Sequence, residues 1–123
     1  MATYRKEGLF PVFSVLSTTV LVPASGTKLS GIVLLDAGAS DDVNVTRVTF
    51  RLSRDSQADE LIGTAVGTLG GWIYHWNTRS VPNGTYMLRS EAYIASGKQS
   101  YSPAIRIVVN NQPSVPLPTR PSQ

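Results

Sequence analysis

The sequence contains no cysteine and only one histidine, His75. Without cysteine there can be no disulfide and no thiolate metal site, so packing alone must hold the chain folded. A single histidine excludes a metal site built on a pair of histidines, and any nucleophile–base arrangement would have to use His75. We therefore expect no catalytic residues, no metal site and no cofactor.

Long hydrophobic runs and clusters of like charge are also missing. No apolar stretch reaches the ~18 residues that indicate a membrane-spanning helix. The eleven basic and eight acidic residues give a formal charge of +3 and are spread along the chain. A surface that follows nucleic-acid phosphates would instead show a basic stripe. We expect neither a membrane span nor a nucleic-acid partner.

Apolar residues do not recur with a helical period over three turns anywhere in the chain. Short runs rich in Val, Ile, Thr and Tyr alternate instead with turn residues, and the 123 residues include 10 Gly and 8 Pro. This length suits a single hydrophobic core. The pattern predicts an all-β fold, a sandwich of about seven antiparallel strands in two sheets.

The clearest strand pair contains both tryptophans. Three large rings share one side of an extended segment: Trp72, Tyr74 and Trp76. Ile73 and His75 take the other side, because successive side chains of a strand point to opposite faces. Turn residues at 81–84 separate this strand from one that begins near Tyr86. We expect the aromatic side to be buried and Ile73 and His75 to point outward.

The chain divides into three parts. Residues 18–111 hold all the predicted strands. Residues 112–123 are rich in proline and have no repeating apolar face, which predicts a flexible tail; a polyproline docking peptide is the alternative. Residues 1–17 form an N-terminal extended arm, in which Pro11 disfavours a helix.

The arm carries more apolar surface than a free tail should leave in water. Its candidate contact residues are Leu9, Phe10, Val12, Phe13, Val15 and Leu16. We expect the arm to dock, either on its own domain or on a neighbouring subunit.

Several sequence landmarks recur in a familiar order. They are Pro23-x-x-Gly26-x-x-Leu29-Ser30-Gly31, then Val45-x-x-Val48-x-Phe50-x-Leu52, then Trp76-Asn77-Thr78-x-x-Val81-Pro82-Asn83-Gly84-x-Tyr86-x-Leu88. This order resembles the bacterial immunoglobulin-like (Ig-like) domains of surface proteins, glycoside hydrolase accessory modules and phage structural proteins. The resemblance covers roughly residues 18–111. It implies an Ig-like β-sandwich in which Tyr86 acts as a tyrosine corner.

Some positions depart from the family pattern. Where such domains usually carry outward Ser or Thr, this chain has Ile32 and Leu34 on one strand and Ile73 and His75 on another. The resemblance makes these strands neighbours in one sheet, so its outer face would carry an apolar strip rimmed by Asp36. The other sheet should be solvated, with these residues outward: Thr49, Arg51, Met87, Arg89, Glu91 and Arg106. Either the arm covers the strip of its own domain, or one or both contact another subunit.

These features predict a non-catalytic structural or interaction module. The main hypothesis is a decoration or accessory protein on a large assembly such as a phage capsid, binding protein subunits, possibly copies of itself, at a virion surface. The alternative is an extracellular or cell-surface module, carbohydrate-associated or adhesive, of a secreted bacterial enzyme or surface protein. Tyr93 and Tyr101 are the outward aromatic candidates for sugar binding, and they are few for a sugar platform.

Overall fold

A computed structural model describes residues 16–40, 45–54 and 59–112. The strands in these ranges are β1 (Ser17–Val22), β2 (Lys28–Leu29), β3 (Ile32–Ser40), β4 (Val45–Ser53), β5 (Glu60–Thr64), β6 (Val66–Thr68), β7 (Gly71–Asn77), β8 (Gly84–Ile94), β9 (Gln99–Tyr101) and β10 (Ile105–Val109). A short 3-10 helix, Thr78–Ser80, follows β7. None of the described residues form a helix long and apolar enough to cross a membrane. The prediction of an all-β chain is confirmed.

The strands form two facing sheets. The four-stranded sheet has the order β1-β3-β7-β6, and the six-stranded sheet has the order β2-β10-β8-β4-β5, with β9 paired to β8. Neighbouring strands are antiparallel except for β2 and β10, which pair in parallel. This is the predicted β-sandwich of two sheets, with each inner face contributing to one core.

The core lies between the sheets and follows the alternation of side chains along the strands. Trp76 and Phe50 are the largest fully buried side chains, from opposite sheets. Trp72 and Tyr74 are partly buried and pack against the same core, on the Trp76 side of β7. The predicted inward face of the tryptophan strand is therefore confirmed, and Ile73 and His75 are directed to the outer face.

One stretch of chain serves both sheets. β5 pairs with β4 in the six-stranded sheet, whereas β6 pairs with β7 in the four-stranded sheet. The change of sheet occurs at Ala65, which is buried and donates its backbone N–H to the Val48 carbonyl oxygen at 2.8 Å. This hydrogen bond pairs the buried backbone N–H of Ala65 at the point where the chain crosses from one sheet to the other.

Tyr86 closes the corner before β8. Its hydroxyl donates to the Pro82 carbonyl oxygen at 2.5 Å and accepts a hydrogen bond from Nη1 of Arg54 at 3.1 Å. The ring itself is buried in the core. Tyr86 therefore ties the turn to its own strand, as the resemblance implied.

Contacts with the rest of the domain hold both ends of the described chain. Leu16 is buried in the hydrophobic core, and β1 begins at Ser17, slightly earlier than the predicted boundary at residue 18. At the other end, the Asn111 side-chain oxygen accepts from the Gly31 N–H at 2.7 Å, and the Asn111 N–H donates to Oδ1 of Asn83 at 2.8 Å. Residues 1–15 of the arm and 113–123 of the tail lie outside the described residues.

Candidate functional site: the outer face of the four-stranded sheet

The pairing of β3 with β7 brings the predicted strip residues together. Leu34 lies directly opposite His75, and Ile32 lies opposite Asn77. Ile73 is opposite Asp36 in the same register. Directly opposed residues of an antiparallel pair share a face, so Ile32, Leu34, Ile73 and His75 all belong to the outer face of this sheet.

Three further apolar residues extend this surface, and they were not identified from the sequence. Val66 of β6 lies opposite Ile73. Val22 of β1 lies opposite Asp36, because a bulge between Val20 and Val22 shifts the register of β1. Leu21 lies within this bulge, and its side chain lies over Gly38.

We define the apolar face as Leu21, Val22, Ile32, Leu34, Val66 and Ile73. Ile32 is 69% exposed and Val66 64% exposed, and Leu21, Val22 and Leu34 are also exposed. Val22, Ile73 and Val66 lie with Asp36 in one row that crosses all four strands. Single exposed apolar residues are ordinary on a protein surface, but a contiguous group across a whole sheet indicates an interaction surface.

Asp36 lies in the middle of this apolar row, not at its rim as the sequence suggested. The cross-strand register places Val22 on one side of it and Ile73 on the other. Its Oδ1 atom is shielded from solvent against Gly71 and has no hydrogen-bond partner among the described residues. A shielded carboxylate oxygen without a donor is costly, so Asp36 is an unfavourable polar group within the apolar row, and only the partly exposed remainder of its side chain is open to a partner.

The residues predicted for the arm have different positions relative to the described chain. Leu16 lies in the core and is not available as a surface contact, because the alternation along β1 turns Leu16 and Thr18 inward. The other predicted arm contacts lie outside the described residues: Leu9, Phe10, Val12, Phe13 and Val15.

The outer face of the six-stranded sheet is mainly polar, and its own side chains cover its middle. Glu91 is only 1% exposed, although the sequence predicts an outward, solvated residue. Nε of Arg51 donates to Oε1 of Glu91 at 2.7 Å, and Arg89 pairs with Asp59. Thr49, also predicted outward, is likewise buried and donates to Glu91 Oε1. Long arginine side chains lie over this strand surface and exclude water from it.

The carboxylate at the centre of this network has a shifted pKa. Burial raises the pKa of Glu91, but hydrogen bonds with Arg51, Tyr93 and Tyr101 outweigh burial, and the pKa lies below its ordinary value of 4.5. The same contact with Glu91 raises the pKa of Tyr101. Glu91 is therefore a buried anion in neutral solution, held by donors that its own domain supplies.

Both candidate sugar-binding tyrosines lie beside this network with arginines stacked on their rings. The guanidinium carbon of Arg47 is 4.0 Å from the ring centroid of Tyr93, and that of Arg89 is 4.5 Å from the ring centroid of Tyr101. Each stacked cation stabilises its ring and occupies one of the two faces on which a sugar would stack.

Two other features of the described chain lack the groups that a ligand or metal site needs. A depression of about 460 Å³ lies at the start of β1, lined by Ser17, Thr18, Thr19, Gly38, Ala39, Ser40 and Pro103. Its lining is dominated by small side chains, without a titratable group. Within residues 16–40, 45–54 and 59–112, His, Asp and Glu side chains form no group of three that could hold a metal ion.

Comparison with known families identifies the sandwich. The model of the family described as "Bacterial Ig domain" matches residues 17–89. The chain belongs to the bacterial Ig domain family. The match ends within β8, so the part of the Ig domain beyond residue 89, including β9 and β10, is defined by the structure alone. None of the curated proteins compared with the chain matches it in sequence.

Solved structures share the fold of this Ig domain. An endo-beta-1,4-mannanase from Thermotoga petrophila aligns with a TM-score of 0.63 and 17% identity, over 80% of this chain and 20% of the mannanase chain. The fibronectin(III)-like modules of CbhA from Clostridium thermocellum align with a TM-score of 0.57 and 19% identity, over 75% of this chain and 93% of the module. The chain thus corresponds to a fifth of the mannanase chain and to nearly a whole CbhA module. Likeness at these identities concerns the fold alone.

Proposed function

We propose that this Ig domain is a non-catalytic interaction module that docks a protein partner through the apolar face. The contrast between its two sheets supports this role. The six-stranded sheet covers the middle of its outer face with its own ion pairs and stacked arginines, and its exposed apolar side chains, such as Leu61 and Met87, are scattered. The four-stranded sheet leaves most of its outer apolar side chains exposed and a carboxylate oxygen without a donor among the described residues.

The energy available from the apolar face supports docking. Fully covering one exposed Leu, Ile or Val side chain is worth about 1.5–3 kcal/mol, and the six side chains of the face, each already partly covered, are together worth on the order of 6–12 kcal/mol. Association costs roughly 4–15 kcal/mol in lost freedom. One such side chain could not offset that cost, whereas the gain from the whole face is of the same order as the cost.

In its finer form, the proposal makes this domain a decoration or accessory subunit on a large assembly such as a phage capsid. The arm, with its apolar residues at positions 9–15, would supply a second contact beside the apolar face. The virion surface is the location that this form requires. Membership of the bacterial Ig family supports an extracellular or cell-surface location more generally.

The experiment follows a tagged chain through a size-fractionated extract of the cells or particles that produce it. We expect the intact chain in a high-mass fraction and the Leu34→Arg variant at the mass of the free chain, 13.3 kDa. Leu61→Arg is the matched control, because Leu61 is similarly exposed on the six-stranded sheet. A Leu34→Arg chain that stays in the high-mass fraction would contradict docking through the apolar face.

A carbohydrate-associated module is the second candidate, and the likeness to a module of CbhA and to part of a mannanase favours it. Tyr93 and Tyr101 share the outer face of the six-stranded sheet as diagonal neighbours. Retention of the intact chain on insoluble polysaccharide, weakened by Tyr101→Ala, would support this role. No retention of the intact chain would remove it.

A further inference from the structure

Building on the docking role proposed above, we propose that the apolar face binds the N-terminal arm of a second copy of this chain. The structure brings two facts together. The arm joins the four-stranded sheet at one end of its edge strand β1, and the exposed apolar residues extend toward the opposite end of the same sheet.

The direction of β1 leads the arm away from its own apolar face. Ser17 pairs with Ser40 at the end of β3, and Val22 pairs with Asp36 farther down the sheet. Moving backward along the chain from Ser17 to Leu16 therefore leaves the sheet beyond Ser40. Ile32, at the other end of β3, is the most exposed residue of the face. The arm would have to reverse direction at once to cover it.

The apolar part of the arm, residues 9–15, is too short to cover the whole face of its own domain. The eight steps from Ser40 back to Ile32 span about 26 Å at ~3.3 Å per residue. The seven residues 9–15 reach at most about 25 Å when fully extended, and a reversal of direction uses several of them. If residues 9–15 folded back over their own domain, they would therefore reach the row that contains Val22 and Asp36, but not Ile32. A second copy can approach the face from any direction and has no such limit.

The chemistry of the arm complements the face. Residues 9–15 carry five large apolar side chains, and Arg5 and Lys6 precede them. The face offers apolar side chains around Asp36, whose Oδ1 has no donor in the described part of the chain. Apolar residues of the arm would cover the face, and a basic side chain or backbone N–H would reach the carboxylate.

An arm of one copy on the face of another is a heterologous contact, because two different surfaces meet. Each copy then still offers one free arm or one free face, so the contact propagates into a ring or a filament. This geometry gives the domain a means of forming an ordered array, and it predicts that two differently damaged copies can still form one contact.

The test uses two full-length variants of the purified chain. The face variant carries Ile32→Arg and Leu34→Arg, which remove apolar contacts and repel Arg5 and Lys6 of an incoming arm. The arm variant carries Phe10→Asp and Phe13→Asp and leaves the face intact. Leu61→Arg is the control, and thermal unfolding checks that all variants fold. Analytical ultracentrifugation measures their masses alone and in an equimolar mixture.

We expect the intact chain and the Leu61→Arg control to associate, each double variant to remain at 13.3 kDa, and their mixture to form a complex of two chains. An arm variant that associates alone would mean that two faces pair directly, and it would overturn the proposal. A monomeric mixture, or an intact chain that is monomeric at every concentration, would also overturn it. If the intact chain is monomeric while Leu34→Arg still abolishes its high-mass fraction in extracts, the docking role stands without self-association.

Discussion

Glu91 is the residue whose environment departs most from its sequence pattern. It alternates outward on β8, yet it is almost fully buried beneath Arg51 and next to Tyr101. An unpaired buried carboxylate would be strongly destabilising, so Glu91 stabilises the fold only because hydrogen-bond donors reach it. The partners of Glu91 come from three strands: Arg51 is on β4, Tyr101 is on β9, and Tyr93 is on β8 itself. Glu91 therefore fastens the middle of the six-stranded sheet.

This arrangement predicts a defined dependence of stability on pH. Because the folded-state pKa of Glu91 lies below 4.5, its contribution is complete above that value and is lost as the pH falls through the folded-state pKa. We expect Glu91→Gln to lower the free energy of unfolding by about 1.5–3 kcal/mol at pH 7. The difference from the intact chain should shrink below pH 4.5. Urea unfolding across this pH range measures it.

The exposed Glu60 provides the control for general acid effects. Glu60→Gln should leave the stability at pH 7 nearly unchanged. A Glu91→Gln chain whose deficit stays constant from neutral to acidic pH would contradict an ionised Glu91 in the folded state.

At the scale of strands, the sequence predicts well which side chains point inward or outward. It predicts poorly where a bulge or a change of sheet interrupts a strand. Simple alternation correctly gives the outer position of Leu34 and His75 and the inner position of Trp76. It does not give Val22, because the bulge in β1 reverses the alternation at that residue. It also misses Val66, which reaches the four-stranded sheet only because the chain changes sheets at Ala65. Both interruptions depend on contacts between distant strands, which a local pattern does not contain.

The burial of Glu91 was unpredictable for a related reason. Alternation states which face a side chain takes, but not whether neighbouring strands cover that face. The cover here consists of long side chains from β4 and from β8 itself, whose positions follow from the register. The same limit applies to the apolar face. The sequence predicts Ile32, Leu34 and Ile73 on this face and places Asp36 at its rim, whereas the register puts Asp36 at its centre.

Asn111 joins three turns at one end of the sandwich. Besides accepting from the Gly31 N–H, its side-chain Nδ2 donates to Oγ1 of the buried Thr78 at 3.1 Å, and its carbonyl oxygen accepts from Nδ2 of Asn83 at 2.9 Å. We expect Asn111→Ala to cost about 1–3 kcal/mol of unfolding free energy, because it leaves Gly31 and Thr78 without side-chain partners. Thermal or urea unfolding measures this loss.

The neighbouring asparagine is the matched control for this prediction. Asn110 is exposed, and its hydrogen bond to the Leu29 carbonyl oxygen comes from its backbone N–H, which alanine retains. Asn110→Ala should therefore change stability by no more than about 0.5 kcal/mol. Equal losses from the two substitutions would mean that the Asn111 side chain does not hold this end together.

For the molecule as a whole, the two outer faces have different physical characters. The six-stranded sheet pairs two of its arginines with carboxylates, Arg51 with Glu91 and Arg89 with Asp59. The four-stranded sheet presents exposed apolar side chains around one carboxylate. A polar sheet face is stable in water, whereas an apolar one is not well solvated. A partner that covered the outer face of the four-stranded sheet would therefore stabilise it.

The most direct test of docking is to find which face becomes protected when the chain enters the proposed high-mass assembly. Carbene labelling followed by mass spectrometry compares the isolated and the assembled chain, residue by residue. Docking through the apolar face predicts reduced labelling at Leu21, Leu34 and Val66, with unchanged labelling at the exposed Leu61 and Met87 of the other sheet. Protection at Leu61 and Met87, with Leu34 and Val66 labelled as in the free chain, would contradict docking through the apolar face.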